Sequence, residues 1–295
     1  MIRKGFIPAI VLTAAIVVAA VFPGCAVVRT PVPGHAEAPP AALRDTHEML
    51  DTVLWVQTSA EFRILAKSAF ARAAAVLDAA LVDAGWTAAL EQTEPFEDLP
   101  PAVILDIDET VLDNSPFQGR LIADRIVFDR ALWTEWTQRR AAPPIPGAPD
   151  FLAYAVARGV TVFYVTNRDA SQEEDTRQNL LDLGLPVRRD IDNVLTRNEN
   201  GWTSADKSER RAHVCRDYRV LLLVGDDLGD FVSGARDSLE KRTRLADAHS
   251  AYWEDRWILI PNPMYGSWES ALYGFDSRLP EKAVLDAKFK AVKMF

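Results

Sequence analysis

Ala102-Val103-Ile104-Leu105-Asp106-Ile107-Asp108-Glu109-Thr110 passes from an uninterrupted apolar run into a cluster of acids. A short run that is apolar on both faces suits a strand buried in the middle of a parallel sheet. The acids then fall at that strand's carboxyl end. Val160–Val165, Val220–Val224 and Trp257–Ile260 repeat the pattern, with helical stretches between them. The chain therefore predicts an α/β fold: a doubly wound, mostly parallel sheet with helices on both faces. A small helical cap and a long N-terminal helical region are expected beside it. Ligands of such sheets bind beyond the carboxyl ends of the strands. Two further polar clusters stand there, Thr166-Asn167-Arg168 and Gly225-Asp226-Asp227-Leu228-Gly229-Asp230.

The helices are punctuated by caps. Asp45 with Glu48 reads as a capping box opening a helix that runs to Ala84 and stops at Gly85. Ser171 with Glu174 reads as a second box, closed by Gly184. Trp55, Phe62, Leu65 and Phe70 are expected to face the core, as are Trp136 and Trp268. Cys215, beside Val214, is expected to be a buried packing residue. His213 and His249 show no metal-ligand spacing.

Asp106 and Asp108 are two apart, so on an extended chain they point the same way. Adjacent carboxylates repel unless a cation intervenes. Asp226 and Asp230 arrive from a neighbouring strand. Four acids around one crevice call for a hard divalent cation with oxygen ligands, most simply Mg²⁺. An EF-hand loop starting at Asp106 is excluded, because Val111 replaces the turn glycine and Phe117 the closing glutamate.

Asp106-Ile107-Asp108-Glu109-Thr110, Thr166-Asn167-Arg168, Lys207 and Gly225–Asp230 resemble, in order, the four motifs of the haloacid dehalogenase (HAD) superfamily of phosphohydrolases. The flanking Val111–Ser115, Phe163–Asp169, Pro261–Glu269 and Trp55–Arg63 narrow the resemblance to the lipoprotein e(P4)-type acid phosphatases, a class of 5′-nucleotidases. It covers roughly Asp51 to Trp268. The resemblance implies Asp106 as nucleophile, forming an aspartyl-phosphate, and Asp108 as general acid and base. It implies one Mg²⁺ per chain, held by Asp106, Asp226 and the main-chain carbonyl of Asp108, with Asp230 behind them or acting through water. Thr166 and Lys207 would grip the phosphoryl oxygens, with Asn167 and Arg168 beside them; for Arg168, pairing with an acid is the equal alternative. Lys207 is expected near the start of a helix capped by Ser204. Trp133 and Tyr265 match residues that sandwich the substrate base. The implied substrates are nucleoside and nicotinamide 5′-monophosphates. Asp227 departs from the pattern, where Asn is usual, and adds a carboxylate expected near the metal.

The first residues read as an address. Arg3 and Lys4 precede the uncharged run Phe6–Phe22, which ends at Pro23-Gly24-Cys25. That is an export signal over residues 1–24. Gly24-Cys25 resembles a bacterial lipoprotein signal, so Cys25 is expected to be lipidated. Residues 25–42, rich in proline, read as a tether. The folded HAD-like body is expected at 43–295, with cap elements at about 43–95 and 112–145. The expected location is the outer membrane, otherwise the periplasm.

Of the 295 residues, 48% are hydrophobic and 25% charged, which is the composition of a folded protein. A net charge of −9 argues against a nucleic-acid polymer as partner. The expected partners are a small phosphomonoester and a membrane reached through the lipid; a homodimer is left open. Two other functions stay open at this point: a phosphotransferase on the same fold, and a non-enzymatic surface-binding lipoprotein.

Overall fold

The computed structural model describes residues 47–295. The signal, Cys25, the tether and Asp45 lie outside the described residues. Helices α1 (Leu50–Thr58) and α2 (Ala60–Val82) replace the single helix expected to reach Ala84. The break is at Ser59, which is extended (φ −80°, ψ 139°) and whose hydroxyl accepts from Phe62 N at 3.0 Å. A serine in mid-pattern thus restarts the helix as its N-cap. Because α1 starts at Leu50, Glu48 lies ahead of its first turn. α2 buries Phe62, Ala66, Phe70, Ala73, Leu77 and Ala80, one stripe at helical spacing. Leu65 falls off that stripe and is half exposed, contrary to expectation; Trp55 packs partly buried against the core.

The sheet has the order β3-β2-β1-β4-β5, all parallel. The strands are β1 (Pro101–Leu105), β2 (Thr161–Asp169), β3 (Val194–Arg197), β4 (Arg219–Gly225) and β5 (Trp257–Leu259). Consecutive residues of β1 serve opposite faces. Val103 and Leu105 join Phe70 of α2; Ala102 and Ile104 join Phe163, Phe231 and Trp257. Both faces are therefore covered, as a parallel sheet requires. Arg72 of α2 ties that helix to the far edge by donating to the carbonyls of Trp253 (2.9 Å) and Trp257 (3.0 Å).

Between β1 and β2 lie α3 (Ser115–Asp124), α4 (Arg130–Arg139) and α5 (Ala148–Ala157). The first of these runs on from the acid cluster. α6 (Glu173–Asp182) follows β2, and α7 (Ser208–Cys215) precedes β4. α8 (Leu239–Ala248) and α9 (Ser250–Asp255) lead to β5; α10 (Ser267–Ser270) and α11 (Glu281–Ala291) follow it. The cap before α6 is Asp169 with Gln172, not Ser171 with Glu174. Asp169 accepts from Ser171 N at 3.0 Å, and Gln172 Oε1 accepts from Asp169 N at 3.2 Å. Gly184, at φ 69°, follows α6 as expected. Among the described residues no helix is long and apolar enough to cross a membrane.

β1 is the switch point. Its successor β2 lies on one side, whereas β4 pairs on the other. The crevice between β1 and β4 opens where both strands end, at Asp106 and Asp226.

Candidate active site

Asp106 leaves β1 with its N–H still bonded to Val224 O of β4 (2.9 Å), which brings the two acid clusters side by side. Residues 110–112 then fold back, all three N–H groups donating to Ile107 O. The turn places Glu109 at φ 61°, a left-handed backbone rare for a side chain of this kind. Asp106 and Asp108 consequently have separate partners instead of lying along one extended chain.

Asp106 meets Lys207, whose buried ammonium also donates to Asp230 Oδ1 at 2.6 Å. Burial raises the Asp106 pKa to about 7; Lys207 opposes that, and Asp230 and Asp108 add to it. For Lys207 burial disfavours the charge, but Asp106 and Asp230 together hold its pKa above the ordinary value. Asp226 is raised well above the usual range, first by burial and then by Asp230 and Asp106. Its oxygens accept from Thr110 Oγ1 (3.2 Å) and Asn262 Nδ2 (2.8 Å). Asp230 Oδ2 accepts from the N–H groups of Asp226 (3.0 Å) and Asp227 (2.9 Å). Gly225 makes this possible, because a Cβ there would collide with the Asp230 carboxylate.

One oxygen from each of Asp106, Asp226 and Asp230 lies within 4.8 Å of the other two. Carboxylates crowded so closely, two of them buried and one partly buried, are a donor set a hard divalent cation would satisfy. Asp227 stands apart from them. It accepts from Gly229 N (2.9 Å) and from Ser267 N (2.6 Å) and Oγ. The extra carboxylate expected near the metal thus anchors the segment after β5.

Asp108 faces the other way. Arg168 donates to it from Nε (3.0 and 3.2 Å) and Nη2 (2.7 Å), Asn114 Nδ2 at 2.9 Å, and Thr166 Oγ1 at 3.4 Å. Arg168 has 1% of its side chain exposed and also donates to Thr176 Oγ1 at 3.0 Å. Its guanidinium is committed to the acid, the second of the two expectations for it. Thr166 and Arg168 sit in a bulge: Val165 and Asp169 of β2 pair with Leu195 and Arg197 of β3, so β2 spends two extra residues there. Asn167 is fixed beside them, donating to Ala205 O (3.1 Å) and accepting from Arg210 Nη2 (2.8 Å). Lys207 immediately precedes α7, which has no side-chain cap; Ser204 Oγ instead accepts from Asp206 N in the turn before.

Two residues that the sequence left without a role complete the network. Asn114 is fully buried; it accepts from Trp136 Nε1 (2.8 Å) and donates to Asp108 and Glu109. Glu109 accepts from Asn114 N (2.8 Å) and from the Tyr265 hydroxyl. Burial, then the charge of Asp108, lifts its pKa to about 8. Trp133 packs edge-on against Phe117 (5.1 Å between centroids), with the Arg168 guanidinium 5.4 Å from its ring centre. Trp268, expected in the core, is exposed, whereas Trp136 is partly buried. Cys215 is buried, its thiol pKa pushed up to about 12.

Residues 21–268 match the family model described as HAD superfamily, subfamily IIIB (acid phosphatase). The class C acid phosphatase of Bacillus anthracis is 30% identical, with a TM-score of 0.73 over 84% of this chain and 97% of that one. A structure of the same protein with tungstate bound matches equally. Acid phosphatase 1 of Solanum lycopersicum is 28% identical over 166 residues, which is 55% of this chain and 57% of that protein. The chain thus matches little more than half the length of that curated relative.

Proposed function

Because this chain belongs to subfamily IIIB of the HAD superfamily, the acid phosphatases, we propose that it hydrolyses phosphomonoesters through an aspartyl-phosphate. The observation that carries this reading is Asp106, a carboxylate at the end of β1, set against a buried lysine and two further carboxylates. Asp106 attacks phosphorus and the ester P–O bond breaks. Asp108 gives its proton to the departing alkoxide, then takes one from the water that cleaves the aspartyl-phosphate. Lys207 and Thr166 hold the phosphoryl oxygens as charge moves onto them. A divalent cation, in this reading Mg²⁺, would be held by Asp106, Asp226 and the Asp108 carbonyl, with Asp230 behind them or acting through water, and would let a carboxylate approach a phosphate. Tungstate on the Bacillus anthracis protein supports an oxyanion grip.

Nucleoside and nicotinamide 5′-monophosphates are the proposed substrates, with Trp133 and Tyr265 against the base. Stacking of this kind gives about 1–3 kcal/mol per base and tolerates different bases. The test is hydrolysis of p-nitrophenyl phosphate and a 5′-mononucleotide, with and without EDTA, by wild type and Asp106→Asn. Turnover should vanish in EDTA, return with Mg²⁺, and fall at least ~10³-fold in the variant. Full activity in Asp106→Asn defeats the covalent scheme. We also propose export and tethering through lipidated Cys25, on the motif alone. Cys25→Ser should move the protein from the membrane to the soluble fraction; unchanged membrane retention refutes the anchor.

A further inference from the structure

Beside the phosphate grip a cleft of about 290 Å³ opens between α4 and the ends of β2 and β3. Phe128 and Trp133 form its aromatic side. Thr134, Asn167, Asp169, Ser171 and Gln172 also line it, but their side chains already have partners within the protein. Two arginines remain. Arg197 ends β3 beside Asp169, and its Nε is buried without a hydrogen-bond partner. Arg130 is exposed at the first turn of α4, on the opposite wall.

Among the described residues Arg197 forms no ion pair within hydrogen-bond distance, although its charge helps to hold Asp169 ionised. The charge balance of the cleft agrees. Asp169 is its one carboxylate, and Asn198 (2.6 Å) and Ser171 already occupy it. Hydrogen bonds from Ser171 and then Asn198 hold its pKa near 2, so it stays ionised and leaves the cleft one net positive charge. Guanidinium forks suit phosphate oxygens in particular. The position also fits. Thr166 is three residues before Asp169 on β2, and Asp169 pairs with Arg197 on the neighbouring β3.

We propose that Arg197 and Arg130 form a second anion subsite, and that substrates carrying a second phosphate on the sugar, nucleoside bisphosphates, are preferred to mononucleotides. This rests on the phosphomonoesterase reading. The reacting phosphate meets Asp106 and Lys207, the base lies along the aromatic wall, and the second phosphate reaches the arginines. The arginines are the cationic side chains of this cleft.

The test compares kcat/KM for adenosine 3′,5′-bisphosphate and 5′-AMP, with Mg²⁺, in wild type, Arg197→Met, Arg197→Lys and Arg130→Met. Wild type should favour the bisphosphate about tenfold, mostly through KM, and less so as salt rises. Arg197→Met should bring the ratio to about one, with Arg197→Lys and Arg130→Met between. Equal kcat/KM values in wild type, or a ratio unmoved by all three variants, overturn the subsite. If neither ester turns over, the phosphatase reading fails on its own. The subsite is then decided by calorimetric binding of the two nucleotides to Asp106→Asn, where a tenfold difference upholds it and equal affinity overturns it.

Discussion

On the proposed function, Arg168 would connect recognition to chemistry. Its guanidinium lies beside Trp133 and holds both carboxylate oxygens of Asp108, while Asn114 approaches the same acid from α3's entry. An acid fixed by a bidentate pair has one orientation toward the leaving oxygen. In the proposed mechanism Arg168 is a positioning residue whose effect passes through Asp108. Proton donation matters most for poor leaving groups, where it contributes about 10²–10⁴-fold. Arg168→Lys should keep a charge near Asp108 but lose the fork. Its kcat for a 5′-mononucleotide should fall about 100-fold, and for p-nitrophenyl phosphate less than about tenfold. Equal losses on the two esters would mean a merely structural arginine. Much of this site was legible in residue types: strand-end acids, a lysine between motifs, a threonine after a strand. The roles of Asn114 and Glu109 were not. Nothing in an asparagine at 114 or a glutamate at 109 announces a fully buried amide or an acid held at positive φ.

At the level of elements, the strands that could be read were those made of uninterrupted apolar runs. Ala102–Leu105 and Val220–Val224 leave no alternative to a central parallel strand. β3 escaped because it is Val194-Leu195-Thr196-Arg197, four residues at the sheet edge, half of them polar. Its pairing nevertheless decides the site, since the bulge of β2 against it turns Thr166 and Arg168 toward Asp108. The broken N-terminal helix has a similar origin. The apolar stripe of α2 runs on in register, but whether Ser59 caps or merely interrupts depends on packing that periodicity does not contain. Asp227 is the converse case. Its carboxyl chemistry pointed to the metal cluster, but its position as cap of the turn Leu228–Asp230 directs it to Ser267 instead.

For the whole molecule, folding gathers acids that would rather stay apart. Asp106, Glu109 and Asp226 all have folded-state pKa values raised by burial, to about 7 for Asp106 and about 8 for Glu109. Their unfolded values lie near 4. Between those limits the folded chain binds more protons than the unfolded one, so stability falls as pH rises through that window. Below the unfolded values the penalty disappears. Asp169 and Asp190, held near 2, act in the opposite sense: their stabilisation is present above the unfolded value of about 4 and is lost only below it. In EDTA the thermal midpoint should therefore decline from about pH 5 to pH 8. Each pKa unit is worth about 1.4 kcal/mol, and Asp106 and Glu109 together lose about five units between pH 5 and pH 8; at about 2–4 °C per kcal/mol, a fall of more than about 10 °C is expected. A cation that occupies the carboxylates only when they are ionised must return that loss. Saturating Mg²⁺ should thus raise the midpoint far more at pH 8 than at pH 5, at 100 times its Kd by about 2.7 kcal/mol of binding linkage. Asp226→Asn should flatten the EDTA profile, because it removes one of the repelling charges. Differential scanning calorimetry across that range decides the matter. A midpoint that stays level or climbs between pH 5 and pH 8 without metal would show that these carboxylates are not the strained cluster their burial makes them.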